Sequence, residues 1–234
     1  MAKNKAARKK LAVKVEAAET PQPGNNMAMA FGTPLMTFQW PDIDTHNAAL
    51  ANLILAKEKA DTGITRSNAG GWHSQTDLMT WDDPAIRILQ GRIEKMTGAM
   101  TRGVTVADKS TSLFNFKVDS WANINRHGGY NRVHNHPNAM WSGVYYVSPG
   151  DPDDSWPENG KLEMVDPRAG INMMYQDGTV MAARYMVDPV PGLMIMFPSW
   201  LQHFVHPFYG QGERISIAFN IVADEIKGGA NRQS

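Results

Sequence analysis

Two histidines one residue apart, His134 and His136, open the stretch VHNHPNAMWSGVYYV at residues 133–147. Residues two apart on an extended chain point to the same face, so both imidazoles can converge on one cation. Alone, such a pair is a weak signal, because two histidines in an exposed turn have the same spacing. A third imidazole, His203, follows the apolar run GLMIMF and a Pro-Ser-Trp turn, so a strand end distant in sequence delivers it. Three ligands brought from two strands are what a facial metal site needs. Just beyond, RISIAFNI puts Arg214, Ser216, Ala218 and Asn220 on one strand face and Ile215, Ile217, Phe219 and Ile221 on the other. A guanidinium on the inward face needs a carboxylate or phosphate partner, and the carboxylate of a ligand would serve.

The elements that must carry these residues can be read from periodicity. FGTPLMTFQWP reads as a first strand closed by Pro41. After Asp44 and Thr45, which can cap, Leu50, Leu53, Ile54 and Lys57 recur at helical spacing. A second helix starts at WDDP, with Asp83 as cap and Pro84 in the first turn, and Ile86, Leu89, Ile93 and Met96 form its core stripe. From Leu113 onward come short strands separated by turn signals and no helical pattern, which predicts an antiparallel sandwich. The fold class expected is mainly β with flanking helices, a double-stranded β-helix or jelly roll. The loops at 63–80 and 148–185 are expected to surround the site, with a mobile insert from Ser148 to Asp166. SNAGGWHSQTDL reads either as a connection that packs Trp72 on the sheet or as a lid or substrate-rim loop.

Composition sets further limits. A chain of 234 residues with 23 basic and 23 acidic side chains carries no general attraction for nucleic acid or an anionic membrane. The absence of cysteine excludes disulfides, thiolate zinc, iron–sulfur clusters and cysteine nucleophiles, so a metal must be held by histidine, carboxylate, amide or water. MAKNKAARKKLAVK is basic without an apolar signal region, and no run is long enough to span a bilayer. The expected organisation is a disordered basic tail at 1–27, one domain at 28–226, and a frayed end at 227–234. A cytoplasmic protein follows, with no membrane partner, nucleic acid confined at most to the basic tail, and a homodimer compatible with the sequence.

The order HxH, distal His, Arg-x-Ser resembles the Fe(II)/2-oxoglutarate-dependent dioxygenases. The segments SNAGGWHS, SWANIN, HNHPNAMWSGVYYV, VDPR, FPSWLQHFVHP and ERISIAFN are similar to a bacterial and phage group of 2-oxoglutarate oxygenases, over residues 30 to 222. Prolyl hydroxylases show a comparable tyrosine-rich strand, a comparable HxVxP after the distal histidine and a comparable Arg strand. The resemblance implies Fe(II), 2-oxoglutarate as cosubstrate and dioxygen, with oxidative decarboxylation to succinate and hydroxylation of a small-molecule or protein side-chain substrate. It implies His134 and His203 as metal ligands and Arg214 as the partner of the far carboxylate of 2-oxoglutarate, assisted by Ser216 and Tyr146.

One position departs from that family pattern: the usual Asp of the pair is His136. Either three imidazoles hold the iron, or the pair shifts by two and Asn138 supplies an amide. Asn220, Asn125 and Asn123 are candidates for the pocket, and His206 for a partner behind the ligands. Asp166 and Arg168 are expected to pair locally. Two other readings stay open, a cupin-like metalloprotein and a non-enzymatic jelly-roll binding or virion-associated protein. The Arg-x-Ser strand argues against the cupin, which needs no arginine past its last ligand.

Overall fold

The structure, a computed structural model, describes residues 31–105, 113–173 and 184–227. The described residues from Thr33 onward belong to one compact unit. The expected basic tail and all but the first residue of the expected frayed end lie outside the described residues.

Among the described residues eleven strands, numbered in chain order, make two antiparallel sheets. The larger runs β1 (Met36–Gln39), β9 (Leu193–Pro198), β6 (Trp141–Pro152), β11 (Gly210–Lys227), β4 (Leu113–Asn125), β3 (Trp72–His73). The smaller runs β2 (Asn68–Ala69), β5 (Tyr130–His134), β10 (His203–Val205), β7 (Leu162–Val165), β8 (Arg184–Val187). This is the jelly roll expected. Non-consecutive strands are neighbours in both sheets, and that returns distant segments to one site.

Side-chain alternation decides what each face of the larger sheet meets. Ile215, Ile217, Phe219 and Ile221 of β11 join Leu50 and Ile54 of α1 (Asp44–Ala60) and Ile86, Leu89 and Ile93 of α2 (Pro84–Val104) in one core. Trp141 and Tyr145 of β6 face the same helices: the Trp141 indole donates to Thr101 Oγ1 at 3.1 Å and Tyr145 OH to Asn47 Oδ1 at 2.6 Å. Tyr146, Ile195 and Phe197 face the other way, into a second core with Leu162 and Met164 of the smaller sheet. The residues between the sheets are those the site can use.

The helix starts differ in detail. Asp83 caps α2 as expected, its carboxylate accepting from the Ala85 amide at 2.7 Å. At α1 no side chain caps; Asp44 is the first helical residue and favours the positive end of the helix dipole instead. The sequence also concealed two buried polar residues on α1: Asn47 donates to Val147 O of the sheet at 2.9 Å, and His46 Nε2 lies 2.9 Å from Ala85 O of α2.

The insert from Ser148 to Asp166 is a correction. β6 continues to Pro152, with Pro149 opposite Arg214 and Pro152 opposite Gly210. The turn beyond is closed by Asn159, which donates to Asp153 O at 3.1 Å and accepts from the Tyr209 amide at 2.8 Å. Pro149, Asp151 and Pro152 lie on the part of β6 beyond its pairing with β9, where a missing amide is tolerated. Asp166 and Arg168 pair locally at 2.6 Å, as expected.

Candidate metal centre

The β5–β10 ladder sets His203 opposite His134. β5 ends there, so His136 is placed beyond the strand, where its backbone N–H donates to Ser199 O at 3.0 Å. The Ser199 hydroxyl in turn donates to Ala139 O. The two histidines of the HxH pair therefore converge because a turn folds them together, as well as by alternation. One ligand atom from each of His134, His136 and His203 falls within 4.8 Å of the others, and this is a grouping able to hold a metal ion.

Hydrogen bonds behind the rings decide which nitrogens face inward. His134 Nδ1 is 2.7 Å from Arg132 O and His203 Nδ1 is 2.9 Å from Leu201 O. A carbonyl only accepts, so both Nδ1 atoms carry the proton and both Nε2 atoms keep a lone pair. His136 Nε2 lies 3.2 Å from His203 Nε2, while its Nδ1 faces the Asn220 amide at 3.4 Å. Asn220 also accepts from Ser142 Oγ at 2.8 Å. With the amide turned over, Oδ1 accepts from His136 Nδ1 and the NH2 donates to Ser142, leaving the third Nε2 free as well.

Burial keeps these rings neutral. It lowers His136 to about 4, with His134 and His73 adding to the effect, and His203 to about 3, with neighbouring imidazoles adding again. His134 is lowered for the same first reason. Neutral imidazole is the form that binds metal. Three lone pairs meeting in a space without a carboxylate suit a cation better than they suit one another.

Two cavities share this cluster, and Ser67, Trp121, His134 and His136 line both. The inner one is also lined by Asn123, Tyr146, Arg214 and Ser216. Arg214 is only 1% exposed and has no carboxylate partner among the described residues. Its Nε donates to Gly160 O at 2.8 Å, its Nη1 lies 3.4 Å from Ser216 Oγ, and its guanidinium sits 5.6 Å from the Tyr146 ring. Gly160 adopts φ +62°, and a Cβ there would press on the Arg214 side chain at 3.2 Å, so glycine suits this position twice over. Burial pulls Arg214 below its ordinary value and pushes Tyr146 up to about 12, although Arg214 opposes the second shift. The Tyr146 hydroxyl and Asn123 Oδ1 are buried with no partner. A buried cation beside an orphaned hydroxyl is a receptor short of its anion.

Asn220 reaches the metal cluster and lines the outer cavity. Asn125 lies on the inward face of β4 but is tied to Asn131, its amide 3.4 Å from Asn131 Oδ1, and lines neither cavity. Asn123, one alternation nearer, lines the inner cavity instead. Asn138 is exposed, takes φ +68° in the turn after His136, and lines neither cavity. Its left-handed backbone, which asparagine tolerates, accounts for the residue type. His206 pairs with Glu163 at 2.8 Å, away from the ligands. Sequence reading missed Asn131 and Ser67, which line the inner cavity from β5 and from the residue ahead of β2.

Fold and cluster together define a jelly roll in which three histidines able to hold a metal ion stand beside a buried arginine. Residues 119–220, from within β4 to within β11, match a family described as "Putative 2OG-Fe(II) oxygenase". Similar solved structures include a Pseudomonas putida prolyl-4-hydroxylase, with TM-score 0.58, 16% identity, 82% of this chain and 93% of the other covered. A viral collagen prolyl hydroxylase from Paramecium Bursaria Chlorella virus-1, solved as a 2OG complex, is similar at TM-score 0.53 and 14% identity, over 80% of this chain and 94% of the other. HygX from Streptomyces hygroscopicus, solved with nickel, 2-oxoglutarate and hygromycin B, matches at TM-score 0.54 and 10% identity, over 82% and 84%. No curated protein matches in sequence. Among the described residues no helix is long and apolar enough to cross a membrane.

Proposed function

We propose that His134, His136 and His203 hold Fe(II), that Arg214 with Ser216 and Tyr146 receives the far carboxylate of 2-oxoglutarate, and that the enzyme hydroxylates a small-molecule or protein side-chain substrate. The observation that carries the reading is Arg214: buried, without a carboxylate, and facing a cavity that opens onto the histidines. Iron, when bound there, supplies activation of dioxygen coupled to decarboxylation of 2-oxoglutarate to succinate. The chain supplies the rest. Arg214 offers a planar fork for bidentate contact with a carboxylate, and Gly160 O holds that fork in place. Tyr146 offers a hydrogen bond that no group among the described residues accepts. Leu162, Phe197 and Val144 line the same cavity and exclude water from it.

Anaerobic titration of the protein with Fe(II) and then 2-oxoglutarate tests this. A metal-to-ligand charge-transfer band is expected, followed by succinate when oxygen is admitted. Arg214→Ala should weaken 2-oxoglutarate about a hundredfold, the scale for removing one partner of a buried charge pair, with metal affinity retained. Absence of both the band and succinate overturns the reading. Retention of metal and 2-oxoglutarate affinity in His203→Ala would favour a non-enzymatic jelly-roll protein.

A further inference from the structure

The outer cavity, about 480 Å³, begins where the histidines end. Its lining holds two arginines, Arg66 and Arg132, and no carboxylate. Neither guanidinium has an ion-pair or hydrogen-bond partner among the described residues. Elsewhere Arg87 meets Asp82, Arg126 meets Glu58, Arg168 meets Asp166 and Arg184 meets Glu163. On a protein whose charges cancel, an unmatched pair at the mouth of one cavity is a local excess.

Backbone bonds fix where the pair stands. The Arg66 amide donates to Asn68 Oδ1 at 2.7 Å, and the Arg132 amide donates to Ser67 O at 2.9 Å, which brings the two chain segments side by side. The Arg132 carbonyl accepts from His134 Nδ1, so one arginine is tied directly to a metal-cluster histidine. Trp121 and Val133 line the same cavity and offer apolar surface for a carbon skeleton. The volume suits a small molecule, for pockets of about 300–1,000 Å³ enclose ligands of that size.

We propose that Arg66 and Arg132 recognise the substrate, and that the substrate is a small molecule carrying an anionic group, a carboxylate or a phosphate. The proposal rests on the oxygenase reading, which gives the inner cavity and Arg214 to 2-oxoglutarate and leaves the outer one to the substrate. Two guanidinium forks can accept such a group bidentately, and the absence of acidic residues removes any competing internal partner. A neutral substrate would leave both charges as unmatched as they stand now.

The test uses the full chain loaded with Zn(II) and saturating 2-oxoglutarate, with methylphosphonate and acetate as separate probes. Either probe should shift the Nε–Hε resonances of Arg66 and Arg132 saturably, and the stronger of the two identifies phosphate or carboxylate as the preferred group. Arg66→Ala with Arg132→Ala should weaken that probe by about tenfold or more, since hydrogen bonds to charged groups are at stake. Both side chains are exposed, so the fold is not at risk. With Mn(II) in place of Zn(II), phosphorus relaxation of bound methylphosphonate should be enhanced in the native protein and not in the double variant. Arginine resonances that respond to neither probe, or a double variant that binds unchanged, overturn the anionic substrate while leaving the oxygenase reading intact. Failure to bind metal and 2-oxoglutarate overturns the oxygenase reading, and the substrate assignment falls with it.

Discussion

Tyr146 and Asn220 separate binding from stability one atom at a time. The Tyr146 hydroxyl is fully buried with no partner, so in the free protein it costs stability. Tyr146→Phe keeps the ring against Arg214 and removes only the orphan; stability should stay level or rise by about 1 kcal/mol. Affinity for 2-oxoglutarate should nonetheless fall about tenfold, the scale of one hydrogen bond to a charged group. Thermal unfolding and 2-oxoglutarate titration of the same sample check the split; a loss of stability would make the hydroxyl structural. Asn220 acts through His136, fixing which nitrogen of that ring keeps its lone pair. Groups that orient metal ligands are worth about 10–100-fold in affinity, so Asn220→Ala should weaken Zn(II) or Mn(II) by about that factor. Asn220→Asp, which accepts from Nδ1, should restore it. Metal dissociation constants for the three proteins decide this, and equal values would remove Asn220 from the site.

At the scale of elements, the two sheets divide the task. The smaller sheet carries His134 on β5 and His203 on β10, and the larger carries Tyr146 on β6 and Arg214 and Ser216 on β11. Gly143 lies at the middle of the larger sheet, opposite Phe219, and a Cβ there would clash with the Phe219 ring and meet Ile195 O at 2.7 Å. Gly143→Ala should therefore cost about 1–3 kcal/mol by overpacking. Metal affinity, which rests on the β5–β10 ladder, should be unchanged; chemical denaturation and metal titration separate the two effects, and coupled losses would contradict the division. The same division explains what sequence could show. In β11 the strict alternation of Ile215, Ile217 and Phe219 with Arg214, Ser216 and Ala218 is local information, and it correctly gave the inward face. The HxH pair was equally plain as a motif, but its convergence depends on the His136 amide reaching Ser199, a contact between distant segments that periodicity does not encode. Asn123 and Asn125 alternate identically; only Asn131 opposite decides that one is occupied and the other free. The insert after Ser148 misled because proline and aspartate at a sheet edge look like those of a loop.

Across the whole molecule, neutral imidazoles couple stability to pH. His46, His73, His134, His136 and His203 are all lowered, burial being the first cause in each case. An unfolded chain binds protons at these positions as pH falls through about 6.5, whereas the folded chain holds His136 neutral to about 4 and His203 to about 3. The unfolded state thus binds more protons in this window, so stability is complete above about pH 6.5 and declines as pH falls below it. Each imidazole that stays neutral contributes up to about 1.4 kcal/mol per pH unit. The lowered carboxylates of Glu58, Glu163 and Asp166 act in the same direction, but only once pH approaches the ordinary carboxylate values. Between pH 7 and 5 the histidines are therefore the principal source of the slope. Metal-free protein should lose melting temperature steadily over that interval, and His136→Gln should flatten the loss by one group's share. Bound metal raises stability by an amount that grows with the logarithm of free metal over its dissociation constant, and that increment should hold until protons compete for the ligands in the folded chain, toward about pH 4. Melting curves at pH 7, 6 and 5, with and without Zn(II), check the sign; a metal-free melting temperature that is flat or rises on acidification would mean that the cluster is already protonated, and that three free lone pairs do not await a cation there.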